Sequence, residues 1–229
     1  MKHVGIVLAA GKGSRMKSDT PKQFLEIAGK PVLYYSLKVM EESFVDEVIL
    51  VTGEDLLSYC KEEIVDKYGF TKVSHIVAGG SERFLSVYQG LLAANGADYV
   101  YIHDGARPFI TQQVLKDAKA CVETYKACAA GMPVKDTIKI TDEKGFAKNT
   151  PNRNLVWQVQ TPQVFAYQVV KCAYDTLLSL EETPAVTDDT MVVENMTQTP
   201  VKMFEASYMN IKITTPEDLG IAELFASNL

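Results

Sequence analysis

The chain has 229 residues, 47% apolar and 23% charged, with a formal net charge of −6. That balance fits a soluble α/β fold whose core needs no disulfide or metal staple, and no apolar run is long enough to cross a bilayer. The acidic balance counts against a nucleic-acid binder, which needs a basic face, but leaves open a small phosphate-bearing ligand. Cys60, Cys121, Cys128 and Cys172 form no C-x-x-C pair and the three histidines are scattered. The spacing therefore predicts reduced thiols and no zinc site. Met1-Lys2-His3-Val4 leads straight into an apolar segment, without the long apolar core of a secretory signal, so the expected location is the cytoplasm.

In chain order, residues 4–9, 47–52, 73–77 and 98–103 read as strands, solidly apolar as in a parallel sheet covered on both faces. Helix patterns lie between them. Pro31 opens one to about residue 42, and residues 55–68 make another. Ser81 is read as the cap of a third through residue 94, and Thr111 as the cap of a fourth through about residue 126. Alternating strands and helices predict βαβ units and an open, mostly parallel, Rossmann-like α/β sheet with helices on both faces. After Pro133 the pattern changes. Residues 136–141 alternate, Asp142-Glu143-Lys144-Gly145 reads as a turn, and residues 155–160 are extended again. This predicts a protruding β-arm with limits 133–160 within a single domain spanning 1–229. A helix over 167–180 follows, then strands at 201–205 and 210–213, and a last helix capped by Thr215.

The first strand ends in Ala9-Ala10-Gly11-Lys12-Gly13-Ser14-Arg15-Met16, followed by Pro21-Lys22-Gln23. In an open α/β sheet ligands bind beyond the carboxyl ends of the strands. The small residues Ala10, Gly11 and Gly13 let backbone N–H groups close around an anion, and Arg15 and Lys22 add charge. Met16 breaks a G-x-G-x-x-G dinucleotide fingerprint, and the spacing is not that of a P-loop. Gly79-Gly80-Ser81-Glu82-Arg83 precedes a helix carrying Ser86 and allows a flat base to approach closely. Asp104, at the end of the fourth strand in His103-Asp104-Gly105-Ala106-Arg107, has the setting either of a Mg²⁺ ligand beside a bound phosphate or of a turn or helix cap. His103 is assigned to packing or support.

The run Leu8-Ala9-Ala10-Gly11-x-Gly13-x-Arg15-Met16 with Pro21-Lys22-Gln23 resembles the signature of sugar-phosphate nucleotidyltransferases, in its polyol-phosphate cytidylyltransferase form. Asp136-Thr137-Ile138-Lys139, Arg153-x-x-x-Trp157-x-x-Gln160-Thr161-Pro162-Gln163, Thr187-Asp188-Asp189 and Asn210-Ile211-Lys212 extend the resemblance to the 2-C-methyl-D-erythritol 4-phosphate cytidylyltransferases over almost the whole chain. The resemblance implies transfer of CMP from CTP to that polyol phosphate with release of pyrophosphate, in isoprenoid precursor biosynthesis, with Mg²⁺ and in a homodimer of interlocked arms. It assigns Arg15, Lys22 and Lys212 to catalysis. Ala9, Ala10, Gly11, Gly13, Gly79, Gly80, Ser86 and Ala106 would bind CTP. Asp104, Arg107, Thr137, Arg153, Thr161, Thr187 and Asp188 would bind the polyol phosphate, Thr137 and Arg153 reaching the partner's site. Asp104 is also the candidate metal ligand. Departures stand at Gly105, where the family usually has alanine, and at 205–209, where it often has Gly-Ser before Asn-Ile-Lys. The alternatives are a ribitol 5-phosphate cytidylyltransferase, a non-catalytic nucleotide-sensing module, and a dimeric interaction protein that binds no nucleotide.

Overall fold

In a computed structural model of the chain, the described residues are 1–11, 13, 16 and 20–227. They form strands β1 (His3–Ala9), β2 (Glu26–Ile27), β3 (Lys30–Pro31), β4 (Glu47–Thr52), β5 (Val73–Ala78), β6 (Tyr99–Asp104), β7 (Ala127–Pro133), β8 (Ile140–Thr141), β9 (Ala147–Asn149), β10 (Trp157–Ala166) and β11 (Lys202–Glu205). The helices are α1 (Val32–Glu41), α2 (Leu57–Tyr59), α3 (Arg83–Ala93), α4 (Gln112–Tyr125), α5 (Tyr167–Leu178), α6 (Asp189–Thr197) and α7 (Pro216–Ala226). A seven-stranded sheet runs β11-β7-β10-β6-β1-β4-β5. Its neighbours are parallel except where β10 lies between β6 and β7, antiparallel to both. None of the described helices is long and apolar enough to cross a membrane.

Both faces of the sheet are covered, which explains strands that are apolar without alternation. Along β1, Val7 and Ala9 join one core with Leu33, Leu37 and Met40 of α1 and Leu115 and Val122 of α4. Val4 and Ile6 join the opposite core with Val87 and Leu91 of α3 and Val170 and Tyr174 of α5. Each fully buried aliphatic side chain contributes about 1.5–3 kcal/mol. A third cluster packs α7 beneath the loop that follows β1, through Met16, Ile27, Phe109, Ile213 and Ala222. Leu8 pairs with both Val51 and Asp104, and Thr52 with Ala78. The carboxyl ends of β1, β4, β5 and β6 are thus level, and their loops open along one edge.

The predicted first four strands and their helices are present, with ends moved by a residue or two. Thr111 caps α4, its side chain accepting the Val114 N–H at 3.3 Å. In α7 the Asp218 carboxylate accepts the N–H groups of Thr214 and Thr215, both at 2.8 Å. Other expectations need correction. Glu82, not Ser81, holds the cap position of α3, in extended geometry and with no side-chain cap bond. The stretch predicted as one helix over 55–68 is a 3₁₀ turn (Glu54–Leu56), α2 and a π-helix (Cys60–Asp66), a distinction apolar periodicity does not encode. Residues 210–213 are not a strand. Ile211 N–H turns back to Met209 O at 2.7 Å, and Ile213 N–H bonds Ala106 O at 2.9 Å.

β7 carries no strand signal in the sequence. Its Ala-Cys-Ala-Ala-Gly-Met-Pro sequence has small side chains and no β-branched residue, so it carries little strand propensity. Yet it is an inner strand of the sheet. β10 likewise extends well beyond residue 160, and the Thr161–Pro162 peptide within it is cis. The arm rises from the paired ends of β7 and β10, and its tip is the short β8–β9 hairpin. The predicted turn is there: Gly145, at φ +84°, donates to Asp142 O at 3.0 Å.

Candidate active site

A cleft of about 530 Å³ lies over the carboxyl ends of β1 and β6, bounded on one side by the start of α3. Ala9, Ala10, Gly11, Lys22, Gly80, Ser86, Asp104, Ala106 and Lys212 all line it. Residues distant in the sequence therefore meet here because parallel strands deliver their following loops to one edge.

The loop after β1 is shaped by Gly13, at φ +63°, which suits glycine, and Met16 N–H bonds Gly13 O at 2.9 Å. A Cβ at Gly13 would sit 3.2 Å from Lys22 Cγ, so the lysine stem runs along the glycine. Gln23, buried and without an assigned role in the sequence, donates from Nε2 to Ala9 O at 2.6 Å. This bond fixes the Lys22 segment to the end of β1. Arg15 lies outside the described residues. Across the cleft, Ser86 Oγ accepts the Gly80 N–H at 3.1 Å. A Cβ at Gly79 would stand 2.6 Å from Ser86 Oγ and 2.7 Å from Ala10 Cβ. Gly79 is thus required by close approach to Ala10 on the facing loop, and Gly80 by the start of α3, where a Cβ would clash with Leu85 Cβ.

Asp104 anchors the floor and is 7% exposed. Its Oδ2 meets Lys212 Nζ at 2.7 Å, and its Oδ1 faces Arg83 Nε at 3.4 Å. Arg107 Nε stands 3.9 Å from Oδ2. Burial alone would raise this carboxyl, but the charges of Arg83, Lys212 and Arg107 outweigh it and hold the group well below the usual carboxylate range. Asp104 N–H donates to Thr161 Oγ1 at 3.1 Å, and that hydroxyl lies 3.0 Å from His103 Nδ1. His103 Nε2 lies 3.1 Å from Arg107 O, which can only accept, so the proton sits on Nε2 and Nδ1 accepts from Thr161. Burial pushes His103 down to about 4, which keeps it neutral and makes it a support for Thr161 and Arg107.

Lys212 owes its place to its neighbours. Asn210 Nδ2 donates to Gln160 Oε1 and Thr161 O, and Arg107 donates to Asn210 O at 2.7 Å. The departure at 205–209 is a turn fastened to the root of the arm: Gln160 donates to Ser207 O at 2.9 Å and Tyr208 Oη to Pro133 O at 2.7 Å. Among the described residues, Arg107 Nε and Asn210 Oδ1 are buried with no hydrogen-bond partner.

A second cavity of about 360 Å³ adjoins the first, sharing Glu82 and Arg83, and is lined by Thr187, Asp188 and Tyr174. Asp188 also caps α6, accepting Met191 N–H at 2.9 Å. Arg83 grips Asp189 with a two-bond fork at 2.9 and 2.8 Å. Neither Arg83 nor Asp189 carries a role in the sequence reading, because a surface-type Arg and a helix-start Asp give no signal until the fold joins them. Thr137 and Arg153 sit exposed on the arm and are not among the residues lining either cavity; Arg153 Nη1 donates to Lys135 O at 3.4 Å.

No cluster of three histidine, cysteine or acidic side chains suited to a metal occurs among the described residues. Of the two described carboxylates lining the cleft, Asp104 has both oxygens facing cations and Glu82 is exposed. A resident metal cage does not fit this donor set. A Mg²⁺ carried in on a triphosphate does, since that ion takes most of its ligands from phosphates and water.

An open α/β sheet with a small-residue loop after its first strand, two lysines and a cation-bound carboxylate in one cleft suits the class of nucleotidyltransferases, and the comparisons with known proteins place the chain in it. A profile of the IspD family, 2-C-methyl-D-erythritol 4-phosphate cytidylyltransferase, matches residues 3–228. The chain belongs to that family. A relative of that name from Lachnoclostridium phytofermentans is 50% identical over 97% of this chain and 95% of its own. One from Lachnospira eligens is 49% identical over 97% and 98%. The crystal structure of 4-diphosphocytidyl-2C-methyl-D-erythritol synthase from Anaerococcus prevotii is similar at a TM-score of 0.86, with 33% identity, covering 99% of this chain and 96% of that one.

Proposed function

We propose the following division of labour for transfer of CMP from CTP to 2-C-methyl-D-erythritol 4-phosphate, giving 4-diphosphocytidyl-2-C-methyl-D-erythritol and pyrophosphate. Ala9, Ala10, Gly11 and Gly13 wrap the triphosphate. Gly79, Gly80, Ser86 and Ala106 hold the nucleoside. A phosphate oxygen of the polyol phosphate attacks the α-phosphorus; the new P–O bond forms as the bond to the β-phosphate oxygen breaks, and pyrophosphate carries away that electron pair. A phosphate monoester has its second pKa near about 6, so the nucleophile is already a dianion and needs no base. The obstacle is repulsion between anions, so catalysis rests on position and charge. Arg15, Lys22 and Lys212 stabilise the charge at the α-phosphate. Mg²⁺ bound with CTP would neutralise phosphate charge, with Asp104 the residue that would hold it.

Asp104 forms the floor against the polyol, backed from beneath by Arg107 and Thr161, and Thr187 and Asp188 bound the adjoining space. Thr137 and Arg153 hold the incoming phosphate in the active site of a second subunit. Their exposure on an arm with Ile140, Phe146 and Leu155 51%, 71% and 79% exposed supports a homodimer closed through the arms. The enzyme works in the cytoplasm with its thiols reduced.

The observation that carries this reading is the convergence of Lys22, Lys212, Ser86 and the small-residue loop in one cleft. The test is pyrophosphate release with each of four nucleoside triphosphates, Mg²⁺ and either methylerythritol 4-phosphate or ribitol 5-phosphate. Release with CTP and methylerythritol phosphate is expected. Release with ribitol phosphate instead, or tight CTP binding without turnover, would replace the proposal.

A further inference from the structure

Arg83 stands in the wall between the two cavities and takes no part in the substrate contacts proposed above. Its two terminal nitrogens are both committed to Asp189, which is fully buried and also accepts Tyr174 Oη at 2.5 Å. The Asp189 backbone is fixed in turn, its N–H donating to Gln163 Oε1 at 2.9 Å. Removing Arg83 from that fork would leave a buried carboxylate without its counter-charge, which is strongly unfavourable. Arg83 is therefore anchored, and only its Nε, 3.4 Å from Asp104 Oδ1, faces the cleft floor. Lys212 approaches the other oxygen of the same carboxylate at 2.7 Å, from the end of a flexible stem. The cleft thus holds a chain of alternating charge, Asp189–Arg83–Asp104–Lys212, fixed at one end and movable at the other.

We propose that Arg83 is a positioning residue for the transfer step: fixed by its fork on Asp189, it keeps Asp104 paired and in place when Lys212 leaves that carboxylate for the phosphates of the nucleotide. The proposal rests on the role given to Lys212 above. With Arg83 gone, Asp104 leans on Lys212 and Arg107, and Lys212 is withheld from the reacting phosphate. The nucleotide loop itself is untouched. The loss therefore falls on kcat, not on the binding of either substrate.

Steady-state pyrophosphate release by the full chain tests this, each substrate varied in turn, for wild type, Arg83→Gln, Arg83→Lys, Asp189→Asn and Arg83→Gln/Asp189→Asn. Arg83→Gln should lower kcat by up to about 100-fold, the scale of a small misplacement of a catalytic group, with both KM values within about threefold. Arg83→Lys should recover part of kcat. Asp189→Asn should lose kcat in the same way, and the double variant should be no worse than Arg83→Gln alone, as expected of residues acting in one chain. A rise in KM with kcat retained would make Arg83 a substrate contact, and additive losses would make the two residues independent; either overturns the proposal. Should Arg83→Gln fail to fold, Arg83→Lys and Asp189→Asn give the same comparison. Wild-type turnover with wild-type kcat in the Arg83 variants removes this proposal alone. Absence of wild-type turnover with CTP and any polyol phosphate removes the functional reading and the proposal with it.

Discussion

Lys22 is held in place before any ligand arrives, with its stem along Gly13 and its segment tied down by Gln23. Its replacement by alanine should lower kcat by about 10²–10³, the usual effect of removing one preorganised charge-stabilising group. Turnover near the wild-type level in a folded Lys22→Ala protein would reject its role. Stability should also depend on pH through His103, which is fully buried and neutral. Its proton binds more weakly in the folded chain than in the unfolded one, so the unfolded chain holds more protons and stability rises with pH. The contribution is complete above about 6.5 and is lost as pH falls toward about 4, amounting to about 3 kcal/mol. His3, also lowered by burial, acts in the same direction. Urea unfolding at pH 7.5 and pH 5 should show the fall, and His103→Asn should flatten it. An unchanged slope in the variant would place the effect elsewhere.

At the scale of elements, Gln163 joins β10 to α6. Its Oε1 accepts the N–H groups of Asp189 and Thr190 at 2.9 and 3.1 Å, and its Nε2 donates to Asp188 Oδ2 at 3.0 Å. One buried amide thus satisfies the open start of a helix and fixes the loop that carries Thr187 and Asp188. Gln163→Leu leaves those donors buried without partners and should cost about 1–3 kcal/mol. Denaturant midpoints would measure the loss, and KM for the polyol phosphate should rise more than KM for CTP. Equal changes in both would mean that the loop does not bound the polyol. β10 shows why elements were only partly legible. Its outer half reads as an arm, whereas its inner half is recognisable as a sheet strand only once β6 and β7 flank it.

In the whole molecule, the homodimer proposed above ties assembly to chemistry through the arm. Thr137 and Arg153 are fixed to it and are not among the residues lining the cavities of their own subunit. Mixing an Arg153→Ala protein with a Lys22→Ala protein should restore part of the activity, because hybrid dimers contain one site with both residues intact. No recovery despite demonstrated subunit exchange would put Arg153 outside the partner's site. Phe146→Asp with Leu155→Asp should shift sedimentation from dimer to monomer and lower turnover with it. A monomeric protein of full activity would end the interlocked reading.

The sequence by itself determined the first four strands and the glycine turns that follow two of them at one edge of the sheet. Apolar runs, helix caps and the Gly11-x-Gly13 and Gly79-Gly80 turns are local devices, and their physics acts within a few residues. The tertiary structure alone decided that β7 is an inner strand, that Asn210 and Ile213 turn Lys212 onto Asp104, and that Arg83 finds Asp189. Those outcomes depend on contacts between segments far apart in the chain, where small side chains are favoured by their neighbours' packing and a lone charge acquires meaning from the counter-charge the fold brings to it.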